Sequence, residues 1–209
     1  MKAFQWKRLC AAFAALMLGV FCSACSQPSA RVTGSELEAL RAEYPYAKTN
    51  EALSMAHVKD IAAFNNNQLA AFVSVTITGP YTSTSTTESP AEGMPAMTTS
   101  TYFVPAHVDS VLYQSHFGGQ TEIVLRIRGA MDGDNLDCYR EGSKIVTMLT
   151  VPAAGLNTSE NEYFSGTESS FYLTDNNVLV SMSDQHPAFH QYSGWNADAF
   201  RQELKKALS

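Results

Sequence analysis

The chain has 209 residues, with 14 basic and 20 acidic side chains, a formal charge of −6 and 45% hydrophobic residues. That acid excess argues against the basic surface with which proteins neutralise nucleic-acid phosphates, and against electrostatic adhesion to anionic lipid. The length is ample for one domain with a sizeable core.

The first segment reads as a secretory signal peptide. Lys2, Lys7 and Arg8 precede an uncharged apolar run over residues 9–22, which is shorter than the roughly 20 residues a spanning helix needs. The run ends in Phe21-Cys22-Ser23-Ala24-Cys25, which resembles the lipobox of bacterial lipoproteins, with Ser23, Ala24 and Cys25 matching and Cys22 where leucine is usual. The resemblance implies cleavage after residue 24, a lipid on Cys25 and an exported protein anchored in a membrane, on the cell surface or facing the periplasm. Two or three acyl chains hold such a protein stably where one would not. Removing residues 1–24 takes away three basic and no acidic side chains, so the formal charge falls from −6 to −9. Cys10 and Cys22 leave with the signal and Cys25 is consumed by lipid. Cys138 is then the one free thiol, which leaves no internal disulfide, and a buried packing role is its simplest reading.

Residues 25–34 form a polar tether, and residues 35–209 a single globular domain. Ser35-Glu36-Leu37-Glu38 has the pattern of a capping box, with Ser35 as N-cap, opening a helix to about Tyr44 that Pro45 stops. A second helix is expected over residues 50–64, ended by Asn65-Asn66-Asn67. Val73, Val75 and Ile77 then alternate with Ser74, Thr76 and Thr78 as a half-buried strand. Residues 82–101, rich in Ser and Thr, read as a mobile hairpin extension. Residues 102–104 and 108–113 are two further strands divided by Pro105, and alternation recurs around Ile123–Ile127 and Ile145–Val151. Residues 171–174 and 178–182 flank Asp175-Asn176-Asn177 as a hairpin, since Asn accepts positive φ. Last comes a helix capped by Asn196, with Asp198 in its first turn, Lys205 and Lys206 in its last, and Phe200, Leu204 and Leu208 as its apolar stripe.

Together these elements predict a mainly β (α+β) fold: a small OB-like antiparallel β-barrel or a compact β-sheet, with N-terminal helices and a C-terminal helix packed on it. The order of elements over residues 53–208 resembles the small OB-like barrels of exported bacterial lipoproteins. Such a fold says little about activity.

Three clusters have the chemistry of metal ligands. His186 and His190 are four apart, the spacing that aligns two imidazoles on a helix, but two ligands half-build a tetrahedral site. Asp132, Asp134 and Asp137 offer oxygen ligands suited to calcium, without the spacing of an EF-hand, and the same residue types build turns. Met94 and Met97 offer thioethers suited to Cu(I), a weak pair unless His107 joins them. Residues 183–195 also hold Tyr192 and Trp195, an aromatic and polar mixture that either lines a binding groove or packs the last helix. No nucleophile elbow, zinc-protease helix or phosphate loop occurs in the sequence. The reading that follows is a non-enzymatic binding module on a membrane anchor, with an envelope protein or peptide as partner and no cofactor. Its alternatives are a copper- or calcium-handling envelope protein and a hydrolase built on a Cys138–His pair.

Overall fold

A computed structural model describes residues 31–47, 68–88, 96–130, 136–151, 159–184 and 187–208. The expected signal segment, Cys25 and the second expected helix lie outside them. No helix among the described residues is long and apolar enough to cross a membrane. The chain is mainly β, one eight-stranded sheet with helices at its flanks.

Helix α1 covers Ser35–Glu43. Its N-cap is Gly34 at φ 61°, with no side-chain cap, so Ser35 is the first helical residue and not the cap expected from the sequence. The Gly34 carbonyl accepts the Glu38 N–H at 3.1 Å, which starts the helix one residue early and leaves the Ser35 hydroxyl outside the capping geometry.

Strand β1, Leu69–Ile77, lies between β3, Met97–Gln114, and β5, Lys144–Thr150, and is antiparallel to both. Strand β4, Glu122–Ala130, pairs with the other side of β3, and β6, Glu162–Ser165, runs parallel to β4. A single residue pair, Thr150 with Phe164, joins β6 to β5. Strand β2, Thr82–Glu88, adds to the far half of β3, while β7, Ser170–Leu173, and β8, Leu179–Ser181, extend the sheet beyond β5.

The two strands expected on either side of Pro105 are one continuous strand. Proline is tolerated because β3 changes neighbours there: β1 ends its pairing at Ala106 and β2 begins at Phe103. The Pro105 carbonyl accepts the Thr78 N–H at 3.0 Å, and the missing proline N–H falls in the gap, so no ladder hydrogen bond is lost. Residues 82–101, expected as a mobile hairpin extension, supply strand β2 and the start of β3, and residues 82–88 and 97–103 form a regular two-stranded arm. Threonine favours strands through its branched Cβ, and cross-strand hydroxyl contacts such as Ser85–Ser100 at 2.9 Å and Thr87–Thr98 at 2.8 Å support the register.

Two cores sit on opposite faces of β1 and β5. One gathers Val73, Val75 and Ile77 with Val104, Ile123, Leu125, Ile127, Ile145 and Tyr139. The other gathers Phe72, Val146, Met148 and Phe171 under helix α3, Ala197–Leu208, whose Phe200, Leu204 and Leu208 are buried as the four-residue spacing predicts. Asn196 caps α3 through its Oδ1, which accepts the Asp198 N–H at 2.9 Å. The β7–β8 turn also follows expectation, with Asn177 at φ 60°. Where β5 passes from β7 to β6, the buried Thr147 hydroxyl lies 2.6 Å from that of Ser165 and 2.7 Å from that of Ser170, so the polar seam is satisfied internally.

Candidate functional site

Three segments distant in sequence enclose a groove of about 590 Å³, a volume within the usual range for ligand sites. Residues 42–47, which follow α1, form one rim; residues 137–144, from a 3-10 turn into β5, form the second; and Tyr172, Leu173 and Asp175 of the β7–β8 hairpin form the third. Pro45 ends α1 because the residue before a proline is driven out of helical geometry, which turns Tyr44 toward the hairpin. The rings of Tyr44 and Tyr172 pack 5.3 Å apart at 50°, and the Tyr172 hydroxyl donates to the Pro45 carbonyl at 2.9 Å. The Ala47 N–H donates to the Met182 carbonyl at 2.9 Å, which ties down the end of this rim.

Arg41 holds the rim from behind. Its guanidinium donates to the carbonyls of Tyr44 at 3.0 Å and Ser181 at 2.7 Å and to the Ser193 hydroxyl at 3.2 Å, and it lies 3.8 Å from the centre of the Tyr46 ring. Burial lowers its pKa and the neighbouring Tyr46 opposes that shift. Around the groove mouth, Arg140 and Lys144 stand among Glu43, Asp137, Glu141 and Asp175. Lys144 reaches Asp175 at 3.5 Å across exposed surface, a contact of small energetic weight.

Cys138 lines the groove as a buried thiol whose pKa is pushed up to about 12, chiefly by burial. A thiol held protonated in this way is a poor nucleophile near neutral pH. Burial also raises the Tyr172 pKa, with Cys138 adding to the shift and Arg41 opposing it. Burial raises the Tyr44 pKa as well, so these two phenols are neutral, and no histidine among the described residues lines the groove. Stacking and hydrogen bonding are what this arrangement offers a ligand.

Of the residues singled out from the sequence, Cys25, Met94, Asp132, Asp134 and His186 lie outside the described residues. Asp137 lines the groove. Met97 opens β3, ten residues before His107 on the same strand. At about 3.3 Å per residue the two are roughly 30 Å apart along the strand, too far to share a metal. His190 ends the short helix α2, Pro187–His190, with its ring 6.0 Å from that of Tyr46. Tyr192 is buried and packs on Phe200 at 5.0 Å and on Trp195 at 5.2 Å, while Trp195 forms a β-bridge with Arg31. Of the expected loop 183–195, residues 183–184 and 187–195 are described, and residues 187–195 pack the last helix. No group of three or more potential metal ligands occurs among the described residues. Tyr44, Tyr172, Arg41, Arg140 and Lys144 were missed by sequence reasoning. Tyr44-Pro45-Tyr46, an aromatic pair around a helix stop, was the one local signal.

Away from the groove, His107 Nδ1 lies 2.5 Å from Glu122 Oε1 on exposed surface, and this hydrogen bond raises the histidine pKa above 6.5. The raised value means that any stability from the pair is fully present below the unfolded-state value near 6.5 and lost as pH rises through the folded one. An NMR titration should place the His107 midpoint above 6.5 in the native chain and lower in Glu122→Gln. Equal midpoints would mean that the pair does not form in solution.

Comparison with protein-family models, with curated proteins and with solved structures found no match for the chain.

Proposed function

We propose that this protein is an exported, lipid-anchored binding module whose 42–47/137–144/172–175 groove takes up a peptide or another component of the cell envelope. The observation that carries the binding role is the groove itself, lined by the packed pair Tyr44 and Tyr172 and by a buried thiol that burial keeps protonated. The anchor rests on the lipobox-like Ser23-Ala24-Cys25 after a short apolar run. In this reading the five central strands are a small OB-like barrel. The pairing circuit from β1 through β3, β4, β6 and β5 back to β1, with its parallel β4–β6 contact, supports that shape.

Cell fractionation tests the anchor. Cys25→Ser should move the protein from the membrane to the soluble fraction, and unchanged partitioning would sink the lipid claim. A photo-crosslinking residue in place of Lys144 tests the groove in intact cells. The expected result is a discrete adduct that is lost in a Tyr172→Ala background; no adduct, or one indifferent to Tyr172, counts against binding there.

A further inference from the structure

The sheet closes one of its edges and leaves another open. At β8 the Leu179 N–H donates to the Trp195 carbonyl at 2.8 Å, the Leu179 carbonyl accepts the Gly194 N–H at 2.7 Å, and the Ser193 hydroxyl accepts the Ser181 N–H at 3.2 Å. The loop before α3 thus takes up the backbone groups that an edge strand would otherwise present. Strand β2 has no such cover. It continues β1 along the same side of β3, with Ile77 opposite Ala106 and Thr82 opposite Phe103. On the outer side β5 covers β1, but it begins at Lys144, opposite Thr76, and does not reach β2. Among the described residues no segment pairs with the outer edge of β2, and residues 82–87 are all exposed.

Edge strands are ordinarily blunted by a charge, a proline, a bulge or shortness. Residues 82–87 carry no charge and no proline, and seven consecutive residue pairs hold Thr82–Glu88 to β3 without a register shift. Alternate residues along this edge therefore turn an N–H and a C=O outward, in line for a further strand.

We propose that the outer edge of β2 pairs with the same edge of a second copy of this chain, antiparallel and centred on Ser85. A twofold axis there sets Ser85 opposite itself, Thr84 opposite Thr86, Ser83 opposite Thr87 and Thr82 opposite Glu88. Each central pair joins two hydroxyl side chains, the kind of pair that β2 already makes with β3. Glu88, the one charged residue of the strand, is opposite a threonine, and its counterpart lies at the other end of the pair, six residues or roughly 20 Å away. Like charges are thus kept apart. Because the strands run in opposite directions, each globular body lies past the Glu88 end of the other arm and not beside the other body. A foreign strand is selected through pockets for its alternate side chains, and β2, exposed on both faces over residues 82–87, has no walls to form them. Self-pairing needs none.

The paired edge is about 20 Å long, a small contact beside a standard interface, so the dimer is best read by covalent trapping. Oxidation of the full chain carrying Ser85→Cys should join two copies through position 85, identified by peptide mass spectrometry so that the other cysteines of the chain do not interfere. Thr82→Cys, whose counterpart is six residues away along the pair, should trap roughly tenfold less, because a disulfide needs Cα atoms within about 7 Å. A mixture of Ser83→Cys and Thr87→Cys chains should trap again, through positions 83 and 87. Adding Ser85→Lys to both chains of that mixture sets like charges face to face and should suppress the disulfide, whereas Ser85→Lys in one chain and Ser85→Glu in the other should restore it, which also shows that both charged variants fold. No disulfide at position 85, equal trapping at 82 and 85, or indifference to the charges at 85 would overturn the self-pair. A disulfide from position 85 to a different protein alone would give the edge to a foreign strand and overturn it as well.

Discussion

Phe200→Ala should destabilise the protein by about 3–5 kcal/mol, measured by urea unfolding, the range for deleting a buried aromatic side chain. Phe200 is fully buried where α3 meets the outer face of the sheet. Its ring meets Phe171 at 5.4 Å, Phe72 at 6.0 Å and Tyr192 at 5.0 Å, so truncation opens a cavity bounded by three other rings from β7, β1 and the loop before α3. Aromatic pairs add about 0.5–1.5 kcal/mol each beyond area burial, which places the expected loss toward the upper end. For a domain of this size each kcal/mol moves Tm by roughly 2–4 °C, so a shift of about 10 °C is expected. Phe200→Leu keeps most of the volume and should lose about a third as much. A loss below about 1 kcal/mol for the alanine variant would mean that α3 is not docked through this ring.

The elements legible in the sequence are those whose periodicity is hydrophobic. Val73, Val75 and Ile77 alternate because one face of β1 looks into a core, and Phe200, Leu204 and Leu208 recur because one stripe of α3 does. Strand β2 has no such signal. Its Thr-Ser-Thr-Ser-Thr-Thr run is exposed on both faces, so strand formation rests on backbone pairing and branched Cβ atoms, which composition alone does not distinguish from a loop. Pro105 misled for a different reason. Its effect depends on which neighbour β3 has at that residue, a fact of topology absent from the local sequence. The groove was invisible for the same cause on a larger scale: Tyr44, Cys138 and Tyr172 come from three distant segments, and nothing in the spacing of any one of them points to the others. The loop with His190, Tyr192 and Trp195 carried the richer local chemistry, yet its Tyr192 ring packs on Trp195 and on Phe200 of α3, and its backbone at Trp195 bridges Arg31.

Arg41→Ala should cost about 2–3 kcal/mol and loosen one whole side of the groove. A hydrogen bond from a charged donor contributes roughly 1.5–3 kcal/mol, and Arg41 makes such bonds to two carbonyls and a hydroxyl from elements far apart in the chain. Removing it deprives the Ser181 and Tyr44 carbonyls of a donor and the Tyr46 ring of the cation over its face. The rim at 44–47 then loses its tie to Ser181 and Ser193 and is left to the Tyr172 hydroxyl on Pro45, the Ala47 N–H on Met182 and its ring contacts, so amide exchange should accelerate over residues 44–47 and 181–183 while the β1–β5 ladder stays protected. Arg41→Lys retains the charge but not the planar fork that reaches Ser181 and Ser193 at once, and it should recover less than half of the loss. Because the arginine lies behind the groove and is not among its lining residues, its replacement should weaken ligand capture by disordering Tyr44, not by deleting a ligand contact. Adding Tyr172→Phe, which removes the second tie to the same rim, should then give a combined loss in stability that departs from the sum of the two single losses. Strict additivity, together with unchanged exchange at 44–47 in Arg41→Ala, would show that the rim is held by neither group.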